Sequence, residues 1–158
     1  MKINVCYKII ATVDMEVSDE FKALADRLGV QAGSYKSDEY VDAYPRITAF
    51  VSRLYRQVLN RRASKNELET WVRALRSGRT ATQVVRGFFG SQEMLNRNLG
   101  ASEVVGIMYK TILNREPDVN GFNSWVPAYN QLGAEKVLNG FLKSPEFAQL
   151  AKEYGINP

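Results

Sequence analysis

The sequence predicts a mainly α protein: two pseudo-symmetric helical repeats behind a short amino-terminal strand-helix extension. Three observations carry that prediction. The chain states one pattern twice, about 54 residues apart: Tyr55, Leu59, Asn60, Arg61, Asn66, Trp71 and Val72 return as Tyr109, Leu113, Asn114, Arg115, Asn120, Trp125 and Val126, as a duplicated helical unit would. Within each copy apolar residues recur at the period of a helix with one buried side. Only residues 3–17 alternate with a period of two, apolar at Ile3, Val5, Tyr7, Ile9, Ala11, Val13, Met15 and Val17, which predicts one long strand or two strands with a bend. The expected units are the extension at 1–45, repeat 1 at 46–100 and repeat 2 at 101–158.

In the extension, Ser18 is placed to cap a helix, with Asp19 and Glu20 in the first turn where the dipole favours carboxylates. Phe21, Leu24, Ala25 and Leu28 form its apolar stripe, and Gly29 ends it. No second clear strand exists to pair with the first, so the strand is expected to form a homodimer across a twofold axis or to dock on the helical body. Strand followed by helix also fits a ribbon-helix-helix reader of DNA, but Asp14 and Glu16 on the polar side would repel phosphate, and Lys36 to Ala43 makes a poor second helix.

The first helix of repeat 1 carries Phe50, Val51, Leu54, Tyr55, Val58 and Leu59, and its counterpart carries Val104, Val105, Met108, Tyr109, Ile112 and Leu113. Asn60 and Asn114 end them, because asparagine tolerates the left-handed turn of a helix stop. Ser64 with Glu67 makes a capping box for the second helix, a place that Asp118 takes in repeat 2. The stripes of that helix are Leu68, Trp71, Val72 and Leu75, then Phe122, Trp125, Val126 and Tyr129; Pro127 should kink the second copy or end it early. Thr80 with Gln83 opens a third helix bearing Val84, Val85, Phe88 and Phe89, matched by Val137, Leu138, Phe141 and Leu142. Gly87 and Gly140 sit inside it at a cost of about 1 kcal/mol against alanine, which close helix approach would offset. A short last helix follows Ser91 and Ser144, the latter with Pro145 at its first position.

The run Asn114, Arg115, Glu116, Pro117, Asp118, with Gly121, Trp125, Phe141, Ser144, Pro145, Glu146 and Phe147, resembles the bacterial repeat catalogued as domain of unknown function 4214. The resemblance covers residues 46–150. Repeat 1 departs from it at Arg62, Ala63, Ser64 and Glu67, where acidic, proline, aspartate and glycine residues are usual. The family occurs in surface-layer, toxin-like and other multidomain bacterial proteins and is distantly similar to the helical domain of phycobilisome linkers. What the resemblance implies is a helical, non-catalytic module with no catalytic residue and no cofactor.

Composition points the same way. With no histidine and one cysteine, Cys6, in 158 residues, a Ser-His-Asp triad, a Cys-His pair and a multi-cysteine metal site are excluded by inventory. Asp118, Asn120 and Gly121 open like a calcium loop, but position twelve is Tyr129 rather than glutamate, so a helix cap is the expected role. No window has the length of a membrane-spanning helix and no secretory leader is visible. This leads to a cytoplasmic expectation if Met1 is the native start, and a cell-surface one if the chain is part of a larger protein.

The net charge of +4 is uneven, at −3, +8 and −1 over the three units. In repeat 1, Arg53, Arg56, Arg62, Arg73, Arg76, Arg79 and Arg86 are the candidate basic face, suited to an acidic protein partner. Two other readings stand beside that scaffold role. A nucleic-acid binder needs Arg53, Arg56, Arg73, Arg76 and Arg86 on one surface, and a carbohydrate-binding accessory domain of a cell-surface protein needs exposed aromatics such as Tyr35, Tyr40 and Tyr44. Arg61 with Glu93 and Arg115 with Glu146 are expected to be structural ion pairs. Trp71, Trp125, Tyr55, Tyr109, Phe88 and Phe141 are the expected core anchors.

Overall fold

The computed structural model describes residues 41–158. The strand and helix expected within residues 3–29 lie outside them. The described residues are mainly helical and contain no strand.

Helix α1 (Pro45–Val58) opens on a proline, whose missing N–H falls where no intrahelical bond is due. Its residues 47, 50, 51, 54, 55 and 58 are all buried, one stripe at helical spacing. The chain then reverses at Asn60, with φ of 54°, and the Arg61 N–H donates to the Tyr55 carbonyl at 3.2 Å, closing the helix end. Helix α2 (Lys65–Arg76) starts in the capping box of Ser64 and Glu67, and α3 (Ala81–Phe89) in that of Thr80 and Gln83. The single turn α4 (Gln92–Leu95) is capped by Ser91.

Repeat 2 follows the same order. Helix α5 (Ala101–Ile112) ends at Asn114, with φ of 53°. Asp118 caps α6 (Val119–Leu132) by accepting from the Gly121 N–H. Gly133, with φ of 86°, turns the chain directly into α7 (Ala134–Leu142), and Ser144 caps α8 (Pro145–Glu153). The expected early end at Pro127 does not occur, since α6 continues to Leu132. The carbonyl deprived of a donor is that of Asn123; both residues are exposed, so water can take the vacant place.

One core serves both repeats. It contains Phe50, Leu54 and Val58 of α1, Val84 and Phe88 of α3, Val105, Met108 and Ile112 of α5, Phe141 of α7 and Phe147 of α8. Each such side chain contributes about 1.5 to 3 kcal/mol relative to exposure. The equivalent helices α1 and α5 pack on each other; α2 and α3 lean on α1, as α6 and α7 lean on α5. The carboxyl terminus closes over repeat 1: Tyr154 packs on Phe50 with ring centres 5.5 Å apart, and the Asn157 carbonyl accepts from the Ala81 N–H at 2.7 Å.

Trp71 and Trp125 are half-buried at the rim of this core rather than enclosed by it, while Tyr55, Tyr109, Phe88 and Phe141 are at most 5% exposed. Helix α6 is peripheral along its whole length, none of its residues being fully buried. The glycines explain the rim. A Cβ on Gly87 would lie 3.6 Å from Trp71 Cη2, and one on Gly140 only 2.7 Å from Trp125 Cη2, so each indole lies over the bare backbone of the third helix.

Candidate functional site

Both repeats build the same aromatic frame. Phe88 meets Tyr55 edge-on at 4.9 Å and Trp71 at 5.2 Å; Phe141 meets Tyr109 at 5.1 Å and Trp125 at 5.0 Å. In repeat 1 the Trp71 indole N–H donates to the Tyr55 hydroxyl at 3.1 Å. Burial pushes the Tyr55 and Tyr109 hydroxyls above the ordinary tyrosine range, so both stay neutral.

The left-handed turn at Asn60 delivers Arg61 onto the Tyr55 ring, its guanidinium carbon 4.8 Å from the centroid. From there it donates to both Glu67 oxygens, at 3.0 and 2.7 Å, and to Glu93 Oε2 at 3.0 Å. Glu67 also accepts from the Ser64 N–H at 2.8 Å. The Arg61 guanidinium, helped by that N–H, holds the Glu67 carboxyl down at about 2, and lowers Glu93 as well. Sequence reasoning paired Arg61 with Glu93 and missed Glu67, although a carboxylate in the first turn of the next helix was the available sign.

In repeat 2, Arg115 sits over Tyr109 at 5.0 Å. The expected pair with Glu146 does not form. Arg115 donates instead to Asp118 at 2.9 Å, and the Asp118 carboxyl is lowered, first by the Gly121 N–H and then by Arg115. The reason is a relocated carboxylate. Gly121 stands at the place of Glu67 because a Cβ there would lie 2.1 Å from the Tyr109 hydroxyl, so the acid moves to the cap itself, three residues from the arginine. That short-range partner takes the guanidinium.

The structure divides the candidate basic face. Arg53 reaches from α1 to the end of α5, donating to Asn114 Oδ1 at 2.8 Å, to the Thr111 carbonyl at 3.2 Å and to the Lys110 carbonyl. There it neutralises the negative end of the helix dipole, and Arg97 does the same for α1 through the Val58 carbonyl. Arg86 donates to Asn139 on α7 and lies 3.9 Å from Glu135. Arg73 pairs with Glu69 at 2.7 Å, Arg76 stacks on Tyr44 at 4.6 Å, and Arg79 stands 6.0 Å above Trp71. Arg56, Arg62 and Arg79 are exposed. Two of the five arginines that a nucleic-acid surface requires, Arg53 and Arg86, are thus turned to the repeat junction. Among the aromatics of the carbohydrate reading, Tyr35 and Tyr40 lie outside the described residues, and Tyr44 is half-buried under Arg76.

A groove of about 580 Å³ opens between the repeats, walled by Phe89, Met94 and Leu99 from one and Met108, Tyr129 and Leu138 from the other. Leu95 on its edge is 59% exposed. Arg86, Glu135 and Asn98 supply its polar groups. No single sequence pattern marks it, because its walls come from five helices and the connector after α4. Among the described residues no acidic, histidine or cysteine group has the clustering that holds a metal ion, and no helix is long and apolar enough to cross a membrane.

The family described as Domain of unknown function (DUF4214) matches residues 32–98 and again residues 95–151. The chain belongs to that family and carries it twice. No curated protein and no solved structure matches it.

Proposed function

We propose that these two DUF4214 units form a non-catalytic, scaffold or linker-like interaction module whose arginine-rich repeat 1 meets an acidic protein partner. The observation that carries the reading is an unbalanced charge. Repeat 1 holds eleven basic and three acidic residues, and all three acids are already committed, Glu67 and Glu93 to Arg61 and Glu69 to Arg73. Arg56, Arg62 and Arg79, exposed on the same repeat, have no carboxylate of their own repeat left to neutralise them. An acidic surface supplies what is missing and gains association rate from the field.

The packing supports a rigid platform. The equivalent residues Arg86 and Asn139 touch each other, and the equivalent helices α1 and α5 are neighbours. Equivalent groups meeting is the property of a twofold, self-closing arrangement, so we read the repeats as a closed pair rather than the start of an open solenoid.

The test is fluorescence anisotropy with labelled polyglutamate and with a duplex DNA of unrelated sequence, each titrated with salt, on the wild type and on Arg56→Gln/Arg62→Gln/Arg79→Gln. Polyglutamate binding that weakens with salt and is lost in the triple variant supports the module. Duplex binding tighter than polyglutamate, with a salt slope that the triple variant reduces, would transfer the function to nucleic acid. Indifference to both polyanions removes the acidic-partner reading.

A further inference from the structure

We propose that the groove between the repeats is a binding site for an acyl carboxylate, a linear aliphatic chain lying between the repeats with its acid on Arg86. The volume, about 580 Å³, falls inside the roughly 300 to 1,000 Å³ range of small-molecule sites. The walls are apolar over their inner part. Two of them, Met94 and Met108, are flexible thioethers that adapt to an unbranched chain better than a branched wall does. Leu95, 59% exposed at the edge, is an apolar side chain left in water that a bound chain would cover.

The polar end selects an anion. Arg86 donates through Nη2 to the amide oxygen of Asn139, a neutral acceptor, so that bond fixes the guanidinium without cancelling its charge. Its other terminal nitrogen faces Glu135 at 3.9 Å, and Glu135 is 85% exposed. A contact that long and that wet is worth little, and a carboxylate arriving from the groove can replace it at shorter range. Ala134 and Glu135, which begin α7, line the same mouth, and that helix starts at Gly133 with no side-chain cap. Its positive end adds to the arginine's field. The corresponding helix of repeat 1, α3, is closed by Thr80 and Gln83. This site is separate from the exposed arginines of the acidic-partner reading, and it stands if that reading fails.

The test is isothermal titration of the full chain with sodium dodecanoate below its micellar concentration, beside dodecyltrimethylammonium, which has the same chain and the opposite charge. Dodecanoate should saturate at one per chain with micromolar affinity, and the cation should bind at least tenfold more weakly. Arg86→Gln should weaken dodecanoate about tenfold. Glu135→Lys, on a side chain that is 85% exposed, should tighten it several-fold and keeps the test decisive if Arg86→Gln fails to fold. Leu99→Trp, filling the groove, should abolish the heat while circular dichroism stays native. The proposal is overturned by absence of binding at millimolar dodecanoate, by equal affinity for the cation, by an unchanged affinity in Glu135→Lys, or by an amphipathic acidic peptide that binds where dodecanoate does not.

Discussion

Removing Arg61 should cost clearly more than removing its counterpart Arg115. Arg61 grips two carboxylates, Glu67 and Glu93, whose side chains are 33% and 44% exposed, and stacks on Tyr55. Partly exposed pairs contribute about 0.2 to 1 kcal/mol each, and the stacked cation about 0.5 to 1 kcal/mol. The lowered Glu67 carboxyl gives a second route to the same figure. A fall from 4.5 to about 2 would alone amount to about 3 kcal/mol; with about a third of each side chain in water, screening reduces it to about 1 kcal/mol. Arg61→Ala should therefore lose about 2 kcal/mol. Arg115 has one partner, Asp118, three residues away, and the Tyr109 ring, so Arg115→Ala should lose about 1 kcal/mol.

Urea melts give both numbers, and thermal melts should show about 4 to 8 °C against about 2 to 4 °C for a chain of this size. The pH dependence separates the ion pair from lost packing. The folded value for Glu67 lies below its unfolded one, so its contribution is complete above about 4.5 and disappears as pH falls toward about 2. Arg61→Ala should flatten the stability curve in that window, whereas Arg115→Ala should leave this Glu67 component in place. Equal losses for the two variants, or an unaltered acid limb in Arg61→Ala, would refute the reasoning.

Three further substitutions probe the frame. Gly87→Ala should be neutral or stabilising by up to about 1 kcal/mol through helix propensity, since its methyl would meet Trp71 at an ordinary 3.6 Å, whereas Gly140→Ala, at 2.7 Å from Trp125, should lose about 1 kcal/mol by overpacking; the same sign in both, measured by urea melts, defeats the explanation. Gly121→Ala, whose methyl would lie 2.1 Å from the buried Tyr109 hydroxyl, should destabilise by about 2 to 3 kcal/mol, and an unchanged melting temperature would show that Tyr109 does not require the bare backbone. Arg53→Met keeps the aliphatic stem but loses the fork that closes the end of α5, so the unfolding free energy from urea melts should fall by about 1 to 2 kcal/mol; no fall would mean that the clamp between repeats carries no weight.

What the sequence determined by itself lies within about one helical turn along the chain. The turns at Asn60 and Asn114, the boxes of Ser64 with Glu67 and Thr80 with Gln83, the serine caps and the buried stripes of α1, α3, α5 and α7 depend on neighbours three or four residues away, and spacing displays such neighbours directly. The duplicated pattern and the family followed from the same local signals. Beyond the Arg61–Glu93 pair, which the repeated couple had indicated, tertiary structure decided which charges meet. The partner of Arg115 depended on the room that Gly121 leaves for the Tyr109 hydroxyl. Arg53 and Arg86, read from composition as surface cations, turned toward repeat 2. An arginine has reach enough to choose among many acceptors, and its choice is made by the packing of α1 on α5, which brings residues some 50 to 60 positions apart within hydrogen-bonding distance. The groove has the same origin, since its walls are assembled only when the two repeats close on each other.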